Sequence, residues 1–174
     1  MVGARAGRAR GGLSLKLHIL AIGRLKRGPE KLLADDYIGR AGAVGRACGI
    51  AAVIVRELLE SRRKSEPERL GEEGENFISV LPPKSFTVVL DERGKALNSP
   101  AFADLVRRHR DRGDSDLAFL IGGPDGHGQA IRESAGLVLS LGMMTWPHRL
   151  VRVMLAEQIY RAVTILVNHP YHRP

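Results

Sequence analysis

The chain has 174 residues, a hydrophobic fraction of 44%, a charged fraction of 26% and a formal net charge of +8 at pH 7. The length fits one domain with its own core, and the average composition argues against a disordered or membrane-embedded class. A single cysteine, Cys48, excludes an internal disulfide and cysteine-based zinc sites, so we expect a reduced, cytoplasmic compartment. The positive charge favours an anionic partner, and nucleic acid is the commonest one.

The first residues are basic, with Arg5, Arg8 and Arg10 and no acidic residue, and an apolar run follows them. Lys16 and His18 interrupt that run and no small-residue cleavage site follows it, so the segment does not match a signal peptide. We expect residues 1–14 to form a disordered basic arm and residues 15–174 to form one domain. No stretch is long and apolar enough to predict a membrane span.

Apolar runs of strand length recur along the chain and hardly alternate with polar residues. They cover residues 15–23, 51–58, 86–91, 116–123 and 137–146. Such continuous apolar strands are typical of a parallel sheet that is covered on both faces. Segments with helical spacing separate the runs, so the sequence predicts an α/β fold with a mainly parallel sheet and helices on both faces.

The clearest helix signal covers residues 99–113, with Ser99 as N-cap, Pro100 in the first turn and Gly113 as the stop. Four arginines crowd the end of this helix, where cations complement the helix dipole. We favour this structural explanation of the arginines over RNA contact. The charged segment from Ser61 predicts an exposed loop and then a helix that ends before Pro82.

The last helix is predicted from about Pro147 to Asn168, with a wide apolar face. Glu157 and Arg161 stand on its polar side in the favourable order for an i,i+4 ion pair. A solvated polar stripe is the structural interpretation. The functional interpretation places Arg161 and Asn168 beside the histidines and tyrosine of the C-terminal tail.

Two glycine-containing segments follow apolar strands, "LIGGPDGHGQA" at residues 120–130 and "SLGMMTWPH" at residues 140–148. Ligands of open α/β sheets bind at the carboxyl ends of strands, and a third strand ends there at Asp91. The first segment lacks the lysine of a phosphate-binding loop and the spacing of a dinucleotide motif. The three strand ends therefore predict one crevice for a flat ligand, whereas simple turns and core packing remain the alternative.

A metal site is not expected, because the histidines near the C-terminus have no acidic residue or cysteine close to them in sequence. The chain also has no G-x-S-x-G motif, and Cys48 has no flanking motif, so covalent hydrolase chemistry has no support.

The segments "LIGGPDG", "SLGMMTWPHRLVRVMLAEQIYRA" and "NHPYHR" together resemble, in order and spacing, the RlmH family of SPOUT-class methyltransferases. The similarity extends to "LKLHILAIGRLK" and "VVLDERGK" and so spans nearly everything after the arm. The resemblance implies an α/β domain with a C-terminal trefoil knot. It also implies methylation of a pseudouridine ring nitrogen in large-subunit ribosomal RNA on the ribosome, with S-adenosylmethionine as cofactor.

Matching the family residue by residue implies which positions serve the reaction. The cofactor contacts would come from Leu90, Gly122, Gly123, Gly142, Met143, Met144, Thr145, Trp146 and Pro147. The catalytic residues would be His148, Arg161, Tyr171, His172 and Arg173.

The implied roles follow from residue type. Arg152, Arg161, His172 and Arg173 are candidates for stabilising an anionic base, His148 or His172 for accepting its proton, and Tyr171 for stacking on it.

The resemblance also implies a homodimer in which the final helix lies at the interface and the tail of one subunit reaches the cofactor of the other. The broad apolar face of that helix agrees with such an interface. The alternative is a noncatalytic RNA-binding or ribosome-associated protein with the same fold. A phosphate-binding nucleotide enzyme is a remote third possibility.

Overall fold

A computed structural model of the chain describes residues 14–172. The predicted arm, apart from Ser14, lies outside the described residues, as does the predicted catalytic residue Arg173. No helix in residues 14–172 is long and apolar enough to cross a membrane.

The described residues form a five-stranded sheet in the order β2-β1-β4-β3-β5, and all neighbouring strands are parallel. The strands are β1 Leu15–Ile22, β2 Ile50–Leu58, β3 Phe86–Ala96, β4 Asp116–Ile121 and β5 Leu137–Ser140. The predicted parallel sheet is therefore confirmed. Because every strand runs in the same direction, all five carboxyl ends lie at one edge of the sheet.

Helices cover both faces of the sheet, as the apolar strands predict. They are α1 Pro29–Gly45, α2 Glu66–Val80, α3 Ser99–Asp111, α4 Gln129–Ser134 and α5 His148–Leu166. Alternate residues of β1 divide between two cores: Leu17 packs with residues of α3 and α5, and Leu20 packs with Phe77 of α2. The trefoil knot that the resemblance implies stays a prediction.

Two helix starts show how local sequence sets the boundaries. Helix α2 begins after a capping box, in which the Ser65 hydroxyl accepts from the Glu68 amide and the Glu68 carboxylate accepts from the Ser65 amide. The predicted N-cap of α3 is wrong by one residue. The Asn98 side chain accepts from the Ala101 amide at 2.9 Å, and Ser99 is the first helical residue, with its hydroxyl donating to Gln158.

Two strands differ from the predicted runs by more than two residues, and both differences lie at the carboxyl edge. Strand β5 ends at Ser140 instead of Trp146, because the Ser140 hydroxyl donates to the Gly142 carbonyl and accepts from the Gly142 amide. Strand β3 continues to Ala96, and residues 91–94 bulge out of it because Leu139 pairs with both Leu90 and Lys95.

Candidate functional site

A cleft of about 380 Å³ opens at the carboxyl edge, where the ends of β3, β4 and β5 meet. The predicted convergence of three strand ends on one crevice is confirmed. Seven of the nine predicted cofactor positions line it, namely Leu90, Gly122, Gly123, Gly142, Met144, Thr145 and Trp146. The predicted catalytic residue His148 lines it as well. Met143 instead has a fully exposed side chain, and Pro147 is the N-cap of α5.

The loop after β4 presents bare backbone to the cleft. The Gly126 amide donates to the Gly123 carbonyl at 3.0 Å, which closes a tight turn. Gly126 adopts φ 77, and a Cβ atom on Gly122 would overlap the Gly126 carbonyl. The turn therefore requires glycine for backbone reasons, and its missing side chains leave room for a flat ligand.

Helix α2 holds this loop through three side chains that are spaced four residues apart on one helix face. The Arg69 guanidinium donates to the Asp125 carboxylate at 2.6 and 3.3 Å. The buried Glu73 carboxylate lies under Gly123, and the Phe77 ring centroid lies 5.5 Å from that of His127. Burial, together with the charges of Glu60 and Asp125, raises the pKa of Glu73. Helix α2 thus fixes the loop by side-chain packing and by an ion pair.

Sequence reasoning missed five polar residues of the cleft, namely Glu92, Arg93, Asp125, His127 and Arg132. Glu92 accepts from the Thr145 hydroxyl at 3.1 Å, and the Arg132 guanidinium lies 3.8 Å from the Asp91 carboxylate. Glu92 and Arg93 follow directly after the apolar part of β3, so the rule that places ligands at strand carboxyl ends applies to them as well.

His127 forms part of the cleft wall and is only 4% exposed. Neither ring nitrogen has a hydrogen-bond partner among the described residues. Burial lowers the pKa of His127 to about 4, so the imidazole is neutral at physiological pH. It is therefore a buried polar group on the cleft wall that carries no charge.

His148 begins α5 and lines the same cleft. Burial lowers its pKa, and the charges of Arg152 and Arg149 lower it further, so the ring is neutral at pH 7 and able to accept a proton. Arg152 itself is buried. It pairs with Glu57 at 2.7 Å and donates to the Ile22 carbonyl at 2.9 Å. Its charge is thus matched, and it ties α5 to the ends of β1 and β2.

Two of the other catalytic candidates, Arg161 and Tyr171, form a second cluster outside the cleft of their own chain. The Glu157 carboxylate accepts from the Arg161 guanidinium at 2.9 and 2.5 Å, which confirms the predicted ion pair, and from the Tyr171 hydroxyl at 3.1 Å. The Arg161 guanidinium lies 5.0 Å from the Tyr171 ring centroid. Burial raises the pKa of Tyr171. His172 follows in the same turn, and its buried Nδ1 has no hydrogen-bond partner within residues 14–172.

No group of three or more metal-ligating side chains occurs in residues 14–172. The cleft presents glycine backbone, charged side chains and two neutral histidines.

A family model described as predicted SPOUT methyltransferase matches residues 15–172. The chain belongs to the SPOUT methyltransferase family. The ribosomal RNA large subunit methyltransferase H of Allorhizobium ampelinum is 50% identical over 159 residues, which are 91% of this chain and 99% of that protein. The protein of the same name from Beijerinckia indica is 48% identical over the same shares. The resemblance to the RlmH family is therefore confirmed.

Among solved structures, the SPOUT methyltransferase chain is similar to a probable methyltransferase from Bordetella pertussis Tohama I. The TM-score is 0.47 at 13% identity, over 87% of this chain and 98% of that one. A likeness at this level supports no statement about function.

Proposed function

We propose that the protein transfers the methyl group of S-adenosylmethionine to a pseudouridine ring nitrogen of large-subunit ribosomal RNA on the assembled ribosome, in the cytoplasm. The observation that carries this proposal is the meeting of three strand-end loops around one cleft, with His148 at its wall. The printed names of the relatives support the substrate class, since proteins 46–50% identical over 91% of this chain are named as large-subunit rRNA methyltransferases.

The groups that line the cleft fit S-adenosylmethionine. Glycine backbone at Gly122 and Gly142 allows close approach of a flat adenine ring, and carboxylates at Asp91 and Glu92 suit ribose hydroxyls and an ammonium group. Arg93 at the same rim suits the cofactor's carboxylate. The unpartnered nitrogens of the buried His127 are a further sign that the wall is built for a polar ligand.

The cofactor supplies an electrophilic methyl group when bound, so the protein has to align the acceptor nitrogen and favour loss of its proton. His148 is the better placed of the two predicted proton acceptors, because it lines the cleft and its lowered pKa keeps it neutral at pH 7. The rate should fall as the pH drops through the pKa of His148, which lies below 6.5. Replacement of His148 by Asn should remove this acidic limb.

The proposed active site is completed by a second copy of the chain. Arg161 and Tyr171 form a cluster with Glu157 that does not line the cleft of their own chain. Apolar side chains that are exposed near the cleft provide a surface for the partner, namely Leu33, Met143, Met144, Trp146 and Leu150. Most of the apolar face of α5 packs on α1 and α3 within the chain. The width of that face is therefore explained by the core and is not evidence for a dimer.

Methyl transfer is tested with assembled ribosomes that lack the modification and with isotope-labelled S-adenosylmethionine. Mass spectrometry of the nucleosides should find label on pseudouridine, and His148→Asn should reduce it while the cofactor still binds by calorimetry. Label on another nucleoside contradicts the proposed substrate. Failure of the wild-type protein to bind the cofactor favours the alternative, a noncatalytic RNA-binding protein with this fold.

The shared active site is tested by co-expression of two inactive chains. One carries His148→Asn, and the other carries Tyr171→Ala. Mixed dimers would contain one intact site, so activity should return to roughly a quarter of the wild-type value if subunits pair at random. Activity that stays at the level of the parent variants contradicts a site built from two chains.

A further inference from the structure

We infer that two basic loops beside the cleft form a binding surface for the phosphate backbone of the RNA substrate. The loops follow the neighbouring strands β1 and β2 and carry six exposed cations, namely Arg24, Lys26, Arg27, Arg62, Arg63 and Lys64. Between them lies a groove of about 1080 Å³. This inference rests on the proposed function, because it assigns the contact surface for that substrate.

Five of these six cations have no carboxylate within 4.0 Å among the described residues. The exception is Arg63, which lies 3.5 Å from Glu72 with its side chain 63% exposed. The charge of a cation without an ion pair is not compensated by a neighbouring carboxylate, so it attracts an anionic ligand more strongly. A row of such cations fits the regularly spaced phosphates of RNA.

Two of the acidic residues beside these loops, Glu57 and Glu73, bind backbone amides of the loops, whereas Glu60 and Glu72 line the groove itself. One oxygen of Glu57 accepts from the Leu25 amide at 2.7 Å, in the middle of the first loop. In the second loop the Ser61 amide donates to the buried Glu73 carboxylate at 3.0 Å. The carboxylates therefore fix the course of both loops, and the cations project from a backbone that is already ordered.

The second loop is also joined to the cleft. The Arg69 side chain donates to the Lys64 carbonyl at 3.1 Å and to the Asp125 carboxylate at 2.6 Å. One guanidinium thus connects the basic loop to the glycine turn that lines the cleft. RNA phosphates held on the loops would lie next to a nucleotide presented to His148.

The test uses the full chain with Arg24→Gln, Arg62→Gln and Lys64→Gln combined, none of which lies in the cleft. The matched control removes three charges from α3 and its end, with Arg107→Gln, Arg108→Gln and Arg112→Gln. Binding of fluorescein-labelled poly-uridine is measured by anisotropy over a salt series. Calorimetry with S-adenosylmethionine and thermal melting check that each variant is folded.

The loop variant should bind the RNA about 10-fold to 100-fold more weakly near physiological salt, with a salt slope reduced by about two, as expected for three lost phosphate contacts. The α3 control should keep the wild-type affinity and slope. The inference is overturned if the loop variant keeps the wild-type affinity and salt slope, or if the α3 control loses as much affinity as the loop variant. It is also overturned if the wild-type protein binds no RNA. RNA binding through the loops without methyl transfer to ribosomes would overturn only the proposed function.

Discussion

Two regions of this protein are rich in arginine and lysine, yet they differ in what surrounds the charges. On α3 the Arg107 guanidinium lies 3.0 Å from Asp104 and 3.7 Å from Asp111. Arg112, just after the helix, lies 3.0 Å from Asp114. In the two basic loops beside the cleft, five of the six cations have no such partner among the described residues.

The difference arises from the spacing of the acidic residues. On α3, Asp104 and Asp111 stand three and four positions from Arg107, so the helix itself brings these charges together. Beside the loops the carboxylates of Glu57 and Glu73 point to backbone amides. The interaction of the α3 arginines with the helix dipole, by which the sequence explains them, stays a prediction, and the structure adds ion pairs with aspartates. A count of all basic residues therefore overstates the positive surface that is available to RNA. Only the cations without a neighbouring carboxylate should be counted.

The largest expected effect concerns Arg152, the buried arginine beneath the first basic loop. Arg152→Ala removes the cation paired with Glu57 and the guanidinium that donates to the Ile22 and Gly23 carbonyls. Glu57 also accepts from the Leu25 amide, so the loss reaches the first loop. The free energy of unfolding should fall by about 3–4 kcal/mol, as for other broken buried pairs. Urea denaturation measures it. A loss below about 1 kcal/mol, the range of exposed pairs, would show that Arg152 does not support the loop.

The second largest expected effect is the loss of stability in acid that is caused by His127 in the cleft wall. His127 has a folded pKa of about 4 against an ordinary value of 6.5, so its neutral form stabilises the fold above pH 6.5. That stability is lost as the pH falls from 6.5 to 4, and the loss at pH 4 should be about 3 kcal/mol.

Unfolding of wild type, His127→Leu and His127→Gln at pH 7 and pH 4 measures this contribution. Both variants lack an ionising group, so each should lose less stability than wild type between the two pH values. A loss equal to that of wild type in both variants would contradict a buried neutral imidazole at this position.

Most of the fold was accessible from the sequence because the local signals agree with one another. All five apolar runs became strands, since a parallel sheet buries both faces and leaves no alternation to be misjudged. Boundaries were less certain. The sequence at residues 137–146 is apolar throughout, and only the hydrogen bonds of the Ser140 hydroxyl with Gly142 end the strand at Ser140.

The candidate site was accessible only where residues follow strand ends in the chain. His148 and the glycines met this condition. His127 stands in the same loop as the glycines, but its burial could not be foreseen, because it depends on Phe77 from a helix that lies about fifty residues earlier in the sequence. The functional interpretation of the last helix placed Arg161 beside the tyrosine of the tail, and the structure brings Arg161 and Tyr171 together where the tail folds back onto α5.

The smallest expected effect belongs to the α3 arginines and tests the comparison from its other side. Arg107 is half-exposed, with 46% of its side chain accessible, and its two ion pairs are screened by water. Arg107→Ala should therefore change the free energy of unfolding by no more than about 0.5 kcal/mol. Arg108→Ala is the matched control, since in the described part of the chain its side chain hydrogen-bonds only to the Asp104 carbonyl.

Urea denaturation at low and high salt decides this last case, because a screened surface pair loses what little it contributes when salt is added. The two alanine variants should have the same stability at high salt. A loss of about 2 kcal/mol at Arg107 that persists in high salt would mean that its ion pairs act as a structural network. The ion pairs would then serve to stabilise α3, and the weak attraction of these arginines for RNA would be a consequence of that stabilising role.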